Sequence, residues 1–136
     1  MRRIRTIFLA FCTLFALVAM SASARGGTWA DVHLGGPNRG GLGITKHLAG
    51  SVWGGLRMDG LGTSSIHASA DVLYKVPKQL WIWEPYAGGG IDCDLATGQT
   101  GAHVVVGTKI LWFFAEDEFR LIDRGNTARA GIRLAF

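Results

Sequence analysis

The chain is short of cysteine and proline, has no long hydrophobic run, and carries no real excess of one charge. Its two cysteines are Cys12 and Cys93. The first falls inside an N-terminal leader, so the mature chain keeps a single thiol and closes no internal disulfide. A domain this small without such staples needs one compact core, or a solvent other than water. The longest apolar stretch, Ile7 to Met20, has 14 residues, whereas a helix needs about 20 to cross hydrocarbon. A helical membrane protein is therefore excluded. The basic residues number 14 and the acidic 10, a net charge of +4, but Arg2, Arg3 and Arg5 all precede the apolar stretch. Without them the balance is 11 to 10, which leaves nothing to drive nucleic-acid binding through surplus positive charge.

What is present at the N-terminus is a basic start, a short apolar run and Ala22-Ser23-Ala24, the pattern of a secretory signal cleaved after a small residue. The sequence thus predicts a signal peptide over 1–24 and one exported domain over 25–136. The Phe11-Cys12-Thr13 context lacks the small-residue site that lipid attachment at Cys12 would need. All 20 glycines follow the signal, roughly twice the usual share. They are spread among apolar residues rather than gathered in a linker, which argues against disorder.

No window shows a helical stripe, and period-two alternation recurs throughout. Eight segments emerge when every second residue is taken as one face. Ala30, Val32 and Leu34 oppose Asp31 and His33; Leu42 and Ile44 oppose Gly43, Thr45 and His47; Leu56 and Met58 oppose Trp53, Arg57 and Asp59. Ile66, Ala68, Ala70, Val72 and Tyr74 oppose His67, Ser69, Asp71 and Lys75. A fifth segment starts at Pro85, since proline is tolerated at a strand's first residue, with Ala87 and Ile91 opposite Tyr86 and Asp92. The sixth sets Ala102, Val104, Val106, Ile110 and Trp112 against His103 and Lys109. The seventh sets Phe113, Ala115, Phe119 and Leu121 against Glu116, Glu118 and Arg120, with Asp117 as an exception. The eighth sets Ala128, Ala130, Ile132, Leu134 and Phe136 against Arg129 and Arg133. Turn residues separate the segments everywhere except near Phe114.

An even number of amphipathic strands in succession predicts an all-β, eight-stranded, antiparallel up-and-down barrel, because closure removes both exposed edges. Periodicity does not say which face meets water. Three features favour lipid outside. The polar face carries both signs of charge, which can neutralise one another in a narrow lumen. Trp29, Trp81, Trp83 and Trp112 lie near segment ends, as an aromatic girdle requires, with Trp53 the least tidy. The last strand ends on its apolar face at Phe136 with no polar tail. The rival arrangement turns the apolar face inward, giving a soluble periplasmic barrel that binds an apolar small molecule.

Four stretches then carry a resemblance: Pro85-Tyr86-Ala87-Gly88-Gly89-Gly90-Ile91, Val106-Gly107-Thr108-Lys109, Phe114-Ala115-Glu116-Asp117-Glu118-Phe119-Arg120 and Ala130-Gly131-Ile132-Arg133-Leu134-Ala135-Phe136. In this order they resemble the second half of the small outer-membrane β-barrel family that includes opacity-type, OmpX-like and OmpA-like barrels. The resemblance covers 85–136. It implies a transmembrane barrel in the outer membrane, surrounded by lipid, with Phe136 as the signal read by the assembly machinery. The short loops and the absence of a domain after Phe136 set this chain apart from larger members and argue against adhesion or peptidoglycan anchoring.

For chemistry, the expectation is a structural protein rather than an enzyme. An eight-stranded barrel is only wide enough to fill with side chains, so a porin is not expected. Arg57, Asp71, Lys109, Glu116, Glu118, Arg120, Arg129 and Arg133 are the expected lumen charge network. His33, His47, His67 and His103 share the polar parity without metal-ligand spacing, so they read as lumen filling. Asp92-Cys93-Asp94 opens like a calcium loop, but the next alternate position is Ala96, which leaves an exposed loop carrying Cys93. Ser65, His67 and Asp71 share a parity and form the one Ser-His-Asp order available to a lipid hydrolase at the barrel rim. No cofactor, metal or nucleic acid is expected, and the chain reads as a monomer.

Overall fold

The structure is a computed structural model that describes residues 27–35, 39–77 and 82–135. The expected signal peptide, Trp81 and Phe136 lie outside the described residues. Eight strands follow one another: β1 Thr28–Gly35, β2 Arg39–Ala49, β3 Val52–Leu61, β4 His67–Lys75, β5 Trp83–Asp94, β6 Thr100–Ile110, β7 Phe113–Arg120 and β8 Asn126–Ala135. Each pairs antiparallel with its neighbour, and β8 returns to β1 from Trp29↔Ala135 to Gly35↔Arg129, closing the barrel. Closure satisfies the backbone donors and acceptors of both would-be edges.

The strand ends are set by local chemistry. Gly50 takes a φ of 56° in the two-residue turn between β2 and β3, a conformation that costs glycine nothing. The β6–β7 connection is equally tight but is made by Leu111 and Trp112, with Leu111 at φ 56°. This corrects the boundary expected near Phe114, and Trp112 belongs to the turn rather than to β6. A leucine in this region gives no composition signal, which is why the turn was not legible. β5 begins at Trp83 instead of Pro85, because Trp83 and Glu84 pair with Ile110 and Lys109. Cys93 is likewise in β5, paired with Thr100 and half-buried, rather than on an exposed loop.

The segments follow the expected alternation, except that Ile44 and Met58, expected on the outer face, are buried. Val32, Leu34, Val72, Ile91, Val106, Ile132 and Leu134 face outward and are exposed, Val32 at 62%. Asp31, Arg57, Asp71, Glu116, Glu118, Arg129 and Arg133 face inward and are buried. The arrangement with the apolar face inside is thereby overturned: the enclosed side carries the ionic residues, with a smaller apolar cluster of Leu73, Tyr86 and Val105 beside them. At the end of the barrel that holds the β2–β3, β4–β5 and β6–β7 turns, Tyr74, Trp83, Trp112 and Phe113 are exposed around the rim. Trp29 and Trp53 do not join them. They stand inside the lumen, stacked with ring centroids 4.6 Å apart.

The register also explains the glycine content. Inward-facing glycines sit laterally between two large inward side chains: Gly41 between His33 and Asp59, Gly43 between Asp31 and Arg57, Gly90 between Asp71 and His103, Gly107 between Tyr86 and Glu116, and Gly131 between His33 and Phe114. A narrow barrel accommodates large residues only by alternating them with small ones. A β-carbon at Gly41 would meet the His33 ring and come within 2.7 Å of the Met58 carbonyl oxygen. Gly41→Ala is therefore expected to lower the unfolding free energy by about 1–3 kcal/mol through overpacking, seen as a lower urea midpoint for the refolded barrel.

Candidate functional site

The inward residues build an ionic lumen in three levels. At the centre, Arg57 from β3 places Nη1 2.6 Å from Glu116 Oε1 and Nη2 3.4 Å from Asp71 Oδ2. Arg129 from β8 donates from Nε and Nη2 to the two oxygens of Asp59 at 3.2 and 2.8 Å, and its Nη1 lies 2.7 Å from Glu118 Oε2. The Asp59 contact is the two-pronged geometry for which guanidinium is suited. Arg133 is fully buried, with Nε 3.3 Å from Asp31 Oδ2 and Nη2 3.6 Å from Glu116 Oε2. Its guanidinium makes no aligned hydrogen bond but lies 4.1 Å from the centroid of Phe114, a cation–π contact. Tyr86 donates its hydroxyl to the second oxygen of Glu116 at 2.8 Å. Glu116 thus joins β3, β5, β7 and β8 across the interior.

Flanking this cluster are two enclosed histidines. His33 sets Nδ1 2.8 Å from Asp31 Oδ1 and Nε2 2.6 Å from Asp59 Oδ1. His103 sets Nε2 2.6 Å from Asp71 Oδ1 and Nδ1 3.3 Å from Asp92 Oδ1. At the turn-rich aromatic end, Lys75 Nζ lies 2.8 Å from the Trp29 centroid and 3.6 Å from that of Trp53. Glu84 accepts from Lys109 at 3.0 Å and faces Lys75 at 3.6 Å. The opposite end opens into a vestibule of about 670 Å³ lined by Arg39, Ser65, His67, Asp94, Arg120 and Asn126 among others. Beneath it only about 20 Å³ remains between Ser69, Asp92, Glu118 and Arg129, room for about one water. The lumen is filled, not open.

No family model matches this sequence, and no curated protein matches it. A solved structure does match: the N-terminal β-barrel domain of Pseudomonas aeruginosa OprF, with a TM-score of 0.68 at 16% identity, covering 82% of this chain and 98% of that one. The chain has the fold of a small outer-membrane β-barrel. At so low an identity the likeness lies in the fold and says nothing of individual side chains.

Within this outer-membrane-type barrel, the residues singled out from sequence fall in different places. Arg57, Asp71, Glu116, Glu118, Arg129 and Arg133 come together in the central cluster. Lys109 is at the aromatic end with Glu84. Arg120 is at the mouth, 3.2 Å from the loop residue Asp123 and 3.9 Å from Glu118. The Asp123 carboxylate also accepts from the Gly125 backbone N–H, and these donors hold it below the usual carboxylate range. The sequence placed Asp31 on the charged lumen face and His33 and His103 as lumen filling, without pairing them; Asp59, of the same parity as Arg57, was not counted among the lumen charges. Trp29 was expected in the girdle, yet it shares parity with Asp31, the signal that could have placed it in the lumen, where it is buried.

The Ser-His-Asp order does not assemble in the barrel. Asp71 is engaged with His103 and Arg57 deep in the lumen. Ser65 at the mouth instead donates to Asp94 Oδ2 at 3.1 Å and has His67 Nε2 at 3.2 Å. With its only proton given to Asp94, the hydroxyl accepts from His67, the reverse of what a serine nucleophile requires. His67 Nδ1, which an acid would orient in a triad, has no hydrogen-bond partner. Among the described residues, no group of three His, Cys, Asp or Glu is placed to hold a metal ion.

Proposed function

We propose that this chain is a structural outer-membrane protein whose barrel spans the membrane as a closed, rigid body and carries out no catalysis. The observation that carries this reading is the pairing of an apolar outer face with an ion-filled interior. Exposed side chains such as Val32, Ile91 and Ile132 are stable against acyl chains and costly against water. On this reading the signal peptide over 1–24 directs export, and Phe136 serves the assembly machinery. The barrel is a monomer in outer-membrane lipid, with the aromatic end toward the periplasm and the vestibule toward the outside. The central network holds strands β3, β4, β7 and β8 in fixed relation, which is a mechanical role.

Two measurements test it. The expressed protein is expected in the outer-membrane fraction, resistant to carbonate extraction, with a gel mobility that changes on boiling. In planar bilayers at neutral pH it is expected to give no conductance steps, because the ionic cluster blocks the lumen. Release of the folded chain by osmotic shock, or steady conductance, contradicts the proposal.

A further inference from the structure

The central chamber holds a charge imbalance that the arginines do not cancel. Five enclosed carboxylates, Asp31, Asp59, Asp71, Glu116 and Glu118, face three enclosed guanidiniums, Arg57, Arg129 and Arg133. Two negative charges are left over, and two enclosed histidines, His33 and His103, sit beside the carboxylates. An ionised carboxylate only accepts hydrogen bonds, and a neutral imidazole donates from only one of its two nitrogens. Yet both nitrogens of each ring are directed at carboxylate oxygens.

His33 faces Asp31 on its own strand and Asp59 on β3, with Arg133 behind the first and Arg129 behind the second. Its β2 and β8 neighbours are Gly41 and Gly131, and its β7 neighbour is the edge of Phe114. His103 faces Asp71 on β4, Asp92 on β5 and Glu118 on β7, the last at 3.9 Å, and pairs in register with Arg120. Arg57 stands behind Asp71 and Glu118. No lysine reaches either ring among the described contacts.

We infer that His33 and His103 are both imidazolium cations in the folded barrel, and that their two protons lock the lumen by completing its electroneutrality. Each donates from both ring nitrogens: His33 ties β1 to β3 through Asp59, and His103 ties β6 to both β4 and β5 through Asp71 and Asp92. Loss of either proton leaves one uncompensated carboxylate charge in an enclosed space and removes one of these ties. Closure of the lumen is thereby linked to proton occupancy. The inference rests on the side-chain arrangement inside the barrel and stands apart from where the barrel resides.

Two experiments test it on the full chain folded in detergent micelles. In nitrogen-15 spectra at pH 7, His33 and His103, assigned by single His→Gln variants, are expected to show two protonated ring nitrogens each. A neutral tautomer at either position overturns the inference. Charge rescue supplies the second readout. His103→Gln is expected to lower the urea midpoint, and adding Asp71→Asn is expected to restore at least half of that loss, because the pair removes one charge of each sign. A double variant no more stable than His103→Gln shows that only shape or hydrogen bonding matters at this site and overturns the inference as well.

Discussion

Arg57→Leu is expected to lower the stability of the barrel by about 3–5 kcal/mol, the range found when one member of a buried ion pair is removed. The reason lies in what the substitution leaves behind. Glu116 Oε1 loses the guanidinium nitrogen 2.6 Å away, and Asp71 Oδ2 loses its contact at 3.4 Å. Both carboxylates remain enclosed. Glu116 retains Arg133 and Tyr86, and Asp71 retains His103, so the chain is still expected to fold at low urea. The urea midpoint of micelle-refolded protein, read from its heat-dependent gel mobility, measures the loss. Replacing the partner as well, in Arg57→Leu with Glu116→Gln, is expected to recover part of it. A single variant as stable as the parent indicates that the cluster is hydrated and that closure of the lumen has another cause.

Val32→Arg is expected to cost about 2–4 kcal/mol, the depth-dependent penalty for a basic residue on the lipid face of a transmembrane barrel near the midplane. Val32 lies mid-way along β1 between Leu42 on β2 and Ile132 on β8, and all three are exposed. The same substitution on a water-facing strand changes stability by no more than about 0.5 kcal/mol. The sign and size of the effect therefore report which solvent surrounds the barrel. Thr97→Arg, in the exposed β5–β6 turn, is the control and is expected to be neutral. Refolding both variants into lipid vesicles and comparing urea midpoints gives the difference directly.

Much of this architecture is written locally. Side chains on a strand alternate faces with period two, so Val32 and Asp31, or Ile132 and Arg133, declare opposite sides without reference to any other strand. Eight such segments with turn residues between them, and an even count that favours closure, are readable from order alone. That is why the number of strands, their succession and the two faces of each strand were legible. Where a turn lacks glycine, as at Leu111 and Trp112, the boundary was not, because a leucine at positive φ is held by the ladder on either side and not by its own preference.

What the sequence left open depends on lateral register and on closure, which are long-range. Pairing β8 with β1 brings Arg133 beside Asp31, more than a hundred positions earlier in the chain. Stagger around the barrel decides that Asp71 meets His103 rather than the Ser65–His67 pair. The same stagger sets each inward glycine between two bulky neighbours, turning a compositional oddity into the space that the ionic cluster occupies. Alternation fixes a side chain's face because it is a property of one backbone. Its partners belong to several strands at once, and only the closed barrel brings those strands into register.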